Sequence, residues 1–143
     1  MSEHFTLGEL CASPWATRNG VDNIPPEHLL GNIGALSDVL EEVRTRIGKP
    51  IIISSGYRSP EVNKAIGGSA TSAHCQGLAA DITVKGMSSR QLAKLIMNMN
   101  LDYDQLIYEG NWVHLGISTG KPRKQELTAH FGGSKTTYTI GIE

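Results

Sequence analysis

The chain has 143 residues, with 13 lysines and arginines against 14 acidic residues and a formal net charge of −1. That length suits a single domain, 1–143, with a hydrophobic core that needs no staples. The near-neutral balance and the lack of a long basic run give polyanion binding no electrostatic support, so no nucleic-acid partner is expected. The one positive cluster, Lys121, Arg123 and Lys124, reads as a solvated loop. Cys11 and Cys75 lie too far apart in sequence to form a framework, and reduced thiols are expected rather than a disulfide. The N-terminus lacks the basic and apolar regions of a signal peptide, and nothing approaches the about 20 apolar residues of a membrane span. A soluble chain made in the cytoplasm, without membrane insertion, is the expectation.

Thr6 and Glu9 fit a capping box for a short helix to about Cys11, which Ser13-Pro14 should end. Residues from Arg18 to Asn23 read as a polar loop. Pro25-Pro26 then open a long helix in which Leu29, Ile33, Leu36, Leu40, Val43 and Ile47 form one apolar stripe, closed by Gly48 and Pro50. The run from Lys49 to Ser54 is short and β-branched and predicts a buried strand. Ser59 caps a helical turn from Pro60 to about Ile66, and a loop of small residues follows from Gly67 to Gly77. Leu78 to Val84 predicts a strand with Ala79 and Asp81 on one face. Ser88 starts an amphipathic helix with Leu92, Leu95, Ile96 and Met99 on one side. Gln105–Glu109 and Trp112–Ser118 predict a hairpin turning at Gly110-Asn111, and Thr136–Ile142 a last strand. Helices around a small, largely antiparallel sheet make this an α+β fold.

Three side chains stand out. His74 and Asp81 flank the loop-to-strand transition with six residues between them, and His114 lies in the strand after the hairpin. If the two strands are neighbours, two imidazoles and a carboxylate converge on one ion and leave a position for water, as catalytic zinc is held. Borderline-to-hard donors of this kind favour zinc among divalent ions. Cys75 is the competing ligand, but neighbouring residues on an extended chain point apart.

The Ser55-Gly56-Tyr57-Arg58-Ser59-Pro60 run, the His74 to Asp81 spacing with Ser72 before it, and the Trp112-x-His114 segment resemble the zinc D-Ala-D-Ala carboxypeptidases. The likeness extends to their phage-encoded L-alanyl-D-glutamate endopeptidase relatives, which share a fold with the hedgehog signalling domain. It runs from about Phe5 to the Thr136–Tyr138 tail. It implies His74, Asp81 and His114 as zinc ligands, Glu109 as general acid/base, and Arg58 as the contact to the substrate backbone or carboxylate. Other members put the acid three residues before the last ligand, where this chain has Asn111, which cannot take a proton; that leaves Glu109. The implied partner is a peptidoglycan stem peptide, and the implied activity is hydrolysis of a bond next to a D-amino acid. A monomeric phage or prophage lysis enzyme suits the compact size, reaching the wall after holin-type release or as a virion component.

Around this set, Ser72 is expected to orient His74 and Trp112 to fill the core or floor the cleft. Tyr57 and Tyr138 are assigned to packing, and His4, His28 and His130 to the surface, with cleft lining the alternative for His130. The competing functions are a zinc-stabilised binding module without catalysis, against which Glu109 and Arg58 argue, and cytoplasmic dipeptide processing.

Overall fold

The computed structural model describes residues 1–132 and 135–143. Thr6 opens α1 (Leu7–Leu10) with the full capping box: its hydroxyl accepts from the Glu9 N–H, and the Glu9 carboxylate accepts from the Thr6 N–H. Ser13-Pro14 does not merely end this helix. It starts α2 (Pro14–Asn19), where Ser13 Oγ accepts from the Ala16 N–H at 3.2 Å and Pro14 takes a first-turn position in which its missing N–H costs nothing. Arg18 and Asn19 are therefore helical, and the loop begins at Gly20.

A 3-10 turn (Glu27–Leu29) leads into α3 (Leu30–Ile47), which Gly48 stops at φ 74°. The expected stripe is buried from Leu29 to Val43, and Ile47 packs against it partly buried. Burial of each such side chain contributes about 1.5–3 kcal/mol. Ser59 caps α4 (Pro60–Ala65), and a capping box of Ser88 and Gln91 opens α5 (Ser89–Asn98). On α5, Leu92 and Ile96 face the core, but Leu95 is exposed and Ala93 takes the buried place beside them.

The strands are β1 (Ile52–Ser55), β2 (Ala79–Thr83), β3 (Gln105–Tyr108), β4 (Val113–Gly116), β5 (Gln125–His130) and β6 (Thr137–Ile140). They form one sheet in the order β1-β2-β4-β3-β5-β6, antiparallel except for the parallel β3–β5 pair. The α+β class with a mostly antiparallel sheet is as expected. Two strand assignments differ. β1 is an edge, with Ile52 exposed, and the core contact of this run comes from Ile51 just before it and from the partly buried Ile53. The sequence pattern does not predict β5, because Gln125 and Glu126 at its start break any apolar alternation.

Period-two alternation gives the sheet two unlike faces. Ala80 and Ile82 of β2, Leu106 of β3, and Val113 and Leu115 of β4 join the core made by α3 and α5. Asp81, His114 and Ile107 point the other way, into a cleft. The Lys121–Lys124 cluster is tied down at the surface: Arg123 donates to Asp104 through Nε at 3.0 Å and Nη2 at 2.8 Å, and Lys124 Nζ donates to Asn100 Oδ1 at 2.8 Å. Among the described residues no helix is long and apolar enough to cross a membrane.

Candidate metal centre and active site

Register brings the first two candidate ligands together. Asp81 on β2 is the direct partner of His114 on β4, and Ser55 of β1 pairs with Asp81 from the other side. The β1 register shifts between Ile53 and Ser55, a bulge of the kind that re-aims chain beside active sites. The third candidate, His74, comes from a 3-10 turn, Ala73–Gln76, closed by Gly77 at φ 70°. A Cβ on Gly77 would meet Ile33 Cγ1 at 2.6 Å, so a larger residue would push this turn off α3.

His74 Nε2 lies 3.3 Å from Asp81 Oδ1, and His114 Nδ1 lies 3.2 Å from the same oxygen. The three side chains are 3%, 13% and 12% exposed for His74, Asp81 and His114, and their donor atoms all fall within 4.8 Å of one another. Two donors each about 2.0–2.2 Å from a tetrahedral ion stand roughly 3.3–3.6 Å apart. The spacing between each nitrogen and the oxygen is thus close to a tetrahedron edge, and the N, O, N donor set fits zinc. Cys75 is not among the converging donors.

The surroundings fix each group. His74 Nδ1 donates to the Gly56 carbonyl at 2.8 Å, which leaves Nε2 free to ligate. Ser72 Oγ accepts from the His74 backbone N–H at 3.2 Å, so Ser72 positions the turn, and the imidazole is oriented by Gly56 instead. Burial alone would raise the Asp81 pKa; hydrogen bonds from His114 and His74, and their charges, overcome it and hold the carboxylate well below its ordinary range.

Glu109 stands at the end of β3, half-buried, where its N–H donates to the Trp112 carbonyl at 3.1 Å to close the hairpin. Trp112 Nε1 donates to Glu109 Oε2 at 2.8 Å. Burial, then the charge of Asp81, raises the Glu109 pKa against the opposing effects of His114, the Trp112 bond and His74. A raised carboxylate pKa suits a group that must both take and return a proton. Arg58 has a backbone N–H that donates to the His74 carbonyl at 3.1 Å, and its buried Nε has no partner among the described residues. Burial lowers its pKa while Asp81, Cys75 and Glu109 oppose that, and a guanidinium stays charged throughout the neutral range.

All of these side chains line one cleft of about 880 Å³, together with Trp112. Asn111 is exposed in the hairpin and is not part of that lining. Trp112 is half-buried, and its ring lies 6.2 Å from that of Phe131. Phe131 and Tyr138, both more than half exposed, line the same cleft from beyond β4, so Tyr138 is a wall residue rather than packing. Tyr57 is buried as expected. His4 pairs with Glu41, His28 is exposed, and His130 pairs with Glu143 at 2.7 Å outside the cleft lining.

A family model for peptidase M15 matches residues 3–116, most of the chain, including His74, Asp81, His114, Glu109, Arg58 and Trp112. The chain belongs to the peptidase M15 family. No curated protein matches it. M15 membership makes this a zinc-dependent type of peptidase directed at peptidoglycan-type substrates. The match stops at Gly116, so the expected likeness of the tail is not part of it, and the outer cleft wall from β5 and β6 lies outside the M15 match. The sequence carries no side-chain signal for Gly56, whose role is a backbone carbonyl, or for the place of Phe131 on the cleft wall.

Proposed function

We propose that the chain is a zinc peptidase that hydrolyses a peptidoglycan stem-peptide bond next to a D-amino acid, as a D,D-carboxypeptidase or an L-Ala-D-Glu endopeptidase. One observation carries the reading: the His74, Asp81 and His114 donors, the Glu109 carboxylate and Arg58 line a single cleft. Zinc, when bound by the three ligands, lowers the pKa of a water toward about 7 and polarises a carbonyl. Glu109 takes the proton from the attacking water and delivers it to the leaving amine, with Trp112 Nε1 holding its Oε2 in place. Arg58, in the cleft lining, offers its planar guanidinium fork to a substrate carboxylate or to the developing oxyanion. The Trp112 and Phe131 rings wall the cleft against solvent beside Glu109.

The same proposal takes the chain as one domain over 1–143, acting as a monomer. Resemblance to phage-encoded endopeptidases supports a lysis role, reached through holin-type release or as a virion component. The experiment is mass spectrometry of fragments released from defined muropeptides, with chelated protein as control. New fragments ending at one bond, lost on chelation and restored by zinc, are expected. Zinc binding without any cleavage would instead mark the chain as a non-catalytic module of the same fold.

A further inference from the structure

The Gly56 carbonyl and Arg58 lie on a segment with no regular structure, residues 56–59. The Gly56 carbonyl receives the His74 Nδ1–H at 2.8 Å, and Arg58 both donates its N–H to the His74 carbonyl at 3.1 Å and sends its side chain into the cleft. A carbonyl can orient an imidazole only if it is itself held. Neither helix nor sheet hydrogen bonds hold this one.

The restraint comes from the N-terminal region. Tyr57 donates its N–H to the Leu10 carbonyl at 2.7 Å. Asn23 supplies the rest: its Nδ2 donates to the Cys11 carbonyl at 2.8 Å and to the Tyr57 carbonyl at 2.9 Å, and its Oδ1 accepts from the Ser59 N–H at 2.7 Å. The partners dictate the amide's orientation, because two carbonyls require donors and one N–H requires an acceptor. Aspartate offers acceptors alone, and alanine offers nothing. Glutamine sets the amide one bond further out. Asn23 thus clamps the segment on both sides of Arg58 and ties it to the end of α1.

We propose that Asn23 is a positioning residue for the metal centre and for Arg58, acting through the 56–59 segment and the Gly56 carbonyl on the His74 imidazole. This rests on the reading of His74, Asp81 and His114 as metal ligands. Loosening the clamp frees the Gly56 carbonyl to drift and costs ligand orientation. Tyr57 and Leu10 belong to the hydrophobic core, so some stability falls with it, and a core-trimmed control separates the two effects.

The test uses the full chain, stripped of metal and titrated with zinc by calorimetry, then with cobalt(II) for its visible absorption. Loss of a partner that orients a metal ligand typically weakens metal binding 10–100-fold, and Asn23→Asp, one step further out, should weaken zinc binding about 10-fold. The cobalt spectrum should change, and kcat/KM on muropeptides should fall. Asn23→Ser, which keeps one short donor, serves if the aspartate variant does not fold. Ile96→Val trims the core on α5, and should keep zinc affinity within about twofold despite its lower melting temperature. Wild-type affinity and an unchanged cobalt spectrum in the Asn23 variant, or an equal loss in Ile96→Val, would overturn the proposal while leaving the metal centre intact. Failure of the unaltered chain to bind zinc would overturn the metal-centre reading, and this proposal with it.

Discussion

Replacing Gly56 by alanine tests whether backbone packing sets the orientation of the His74 imidazole, the proposed metal ligand. A Cβ at position 56 would lie 2.2 Å from the Leu10 carbonyl oxygen and 3.0 Å from its carbonyl carbon. Carbon and oxygen sit comfortably at about 3.3 Å, so one of the two chains must move by roughly 1 Å. No side-chain rotation relieves the clash, because the obstruction is backbone. The same movement carries the Gly56 carbonyl from 2.8 Å out of hydrogen-bond reach of His74 Nδ1. Overpacking costs about 1–3 kcal/mol and a buried donor left unpaired about 1–3 kcal/mol, which at their midpoints sum to about 4 kcal/mol. For a domain of this size that is roughly 12 °C of melting temperature and a large part of a typical total of about 5–15 kcal/mol. Thermal unfolding of the metal-free and zinc-loaded variant gives both numbers: a lowered baseline and a smaller rise on adding zinc. A variant that melts within about 2 °C of the parent and binds zinc as tightly would refute the link between Leu10, Gly56 and His74.

Glu109→Gln should keep its zinc, because it is not a ligand, and lose about 10²–10⁴-fold in kcat on muropeptides; near-normal turnover would reject the acid/base role. The folded pKa of Glu109 is raised above its unfolded value, so ionisation at neutral pH works against folding, and stability is gained as pH falls through the folded value. The metal-free Glu109→Gln protein should therefore be at least as stable as the parent at neutral pH by urea unfolding, a trade of stability for function that a destabilised variant would contradict. Trp112→Phe removes a bond that lowers the Glu109 pKa, so the acid limb of kcat/KM should move to higher pH relative to the parent; no movement, or movement down, would show that the indole does not act on this carboxylate.

Much of this site was legible because its signals are local. Histidines and an aspartate are recognisable as donors by type, and capping residues such as Thr6, Ser59 and Ser88 announce their helices through short-range hydrogen bonds. What was missed depends on contacts distant in sequence. Ser13-Pro14 carries stop and start signals at once, and only the space available to α2 decides between them. The exposure of β1 is set by its place at the sheet edge, which its β-branched composition does not encode. β5 is held by parallel pairing with β3 and needs no alternation of its own, since Thr128 and Ala129 are buried by neighbours. Asn23 reads as a loop residue, because its three partners come from Cys11, Tyr57 and Ser59.

The deeper reason that fold and site coincide is strand register. Ala80, Ile82, Val113 and Leu115 can reach the core only if β2 and β4 pair as they do, with Ala80 opposite Leu115 and Ile82 opposite Val113. The residues between them, Asp81 and His114, are then opposite each other on the reverse face without any further instruction. A slip of β2 by one residue would turn its apolar set outward and move Asp81 into the core, at a cost of about 1.5–3 kcal/mol for each large side chain exposed. The hydrophobic effect that builds the sheet therefore also sets the distance between two ligands. Only His74 needs separate machinery, because it lies on a turn: the Ser72 cap, Gly77, and the carbonyl of Gly56. That asymmetry predicts where the site is fragile, at the turn and its supports rather than in the strands.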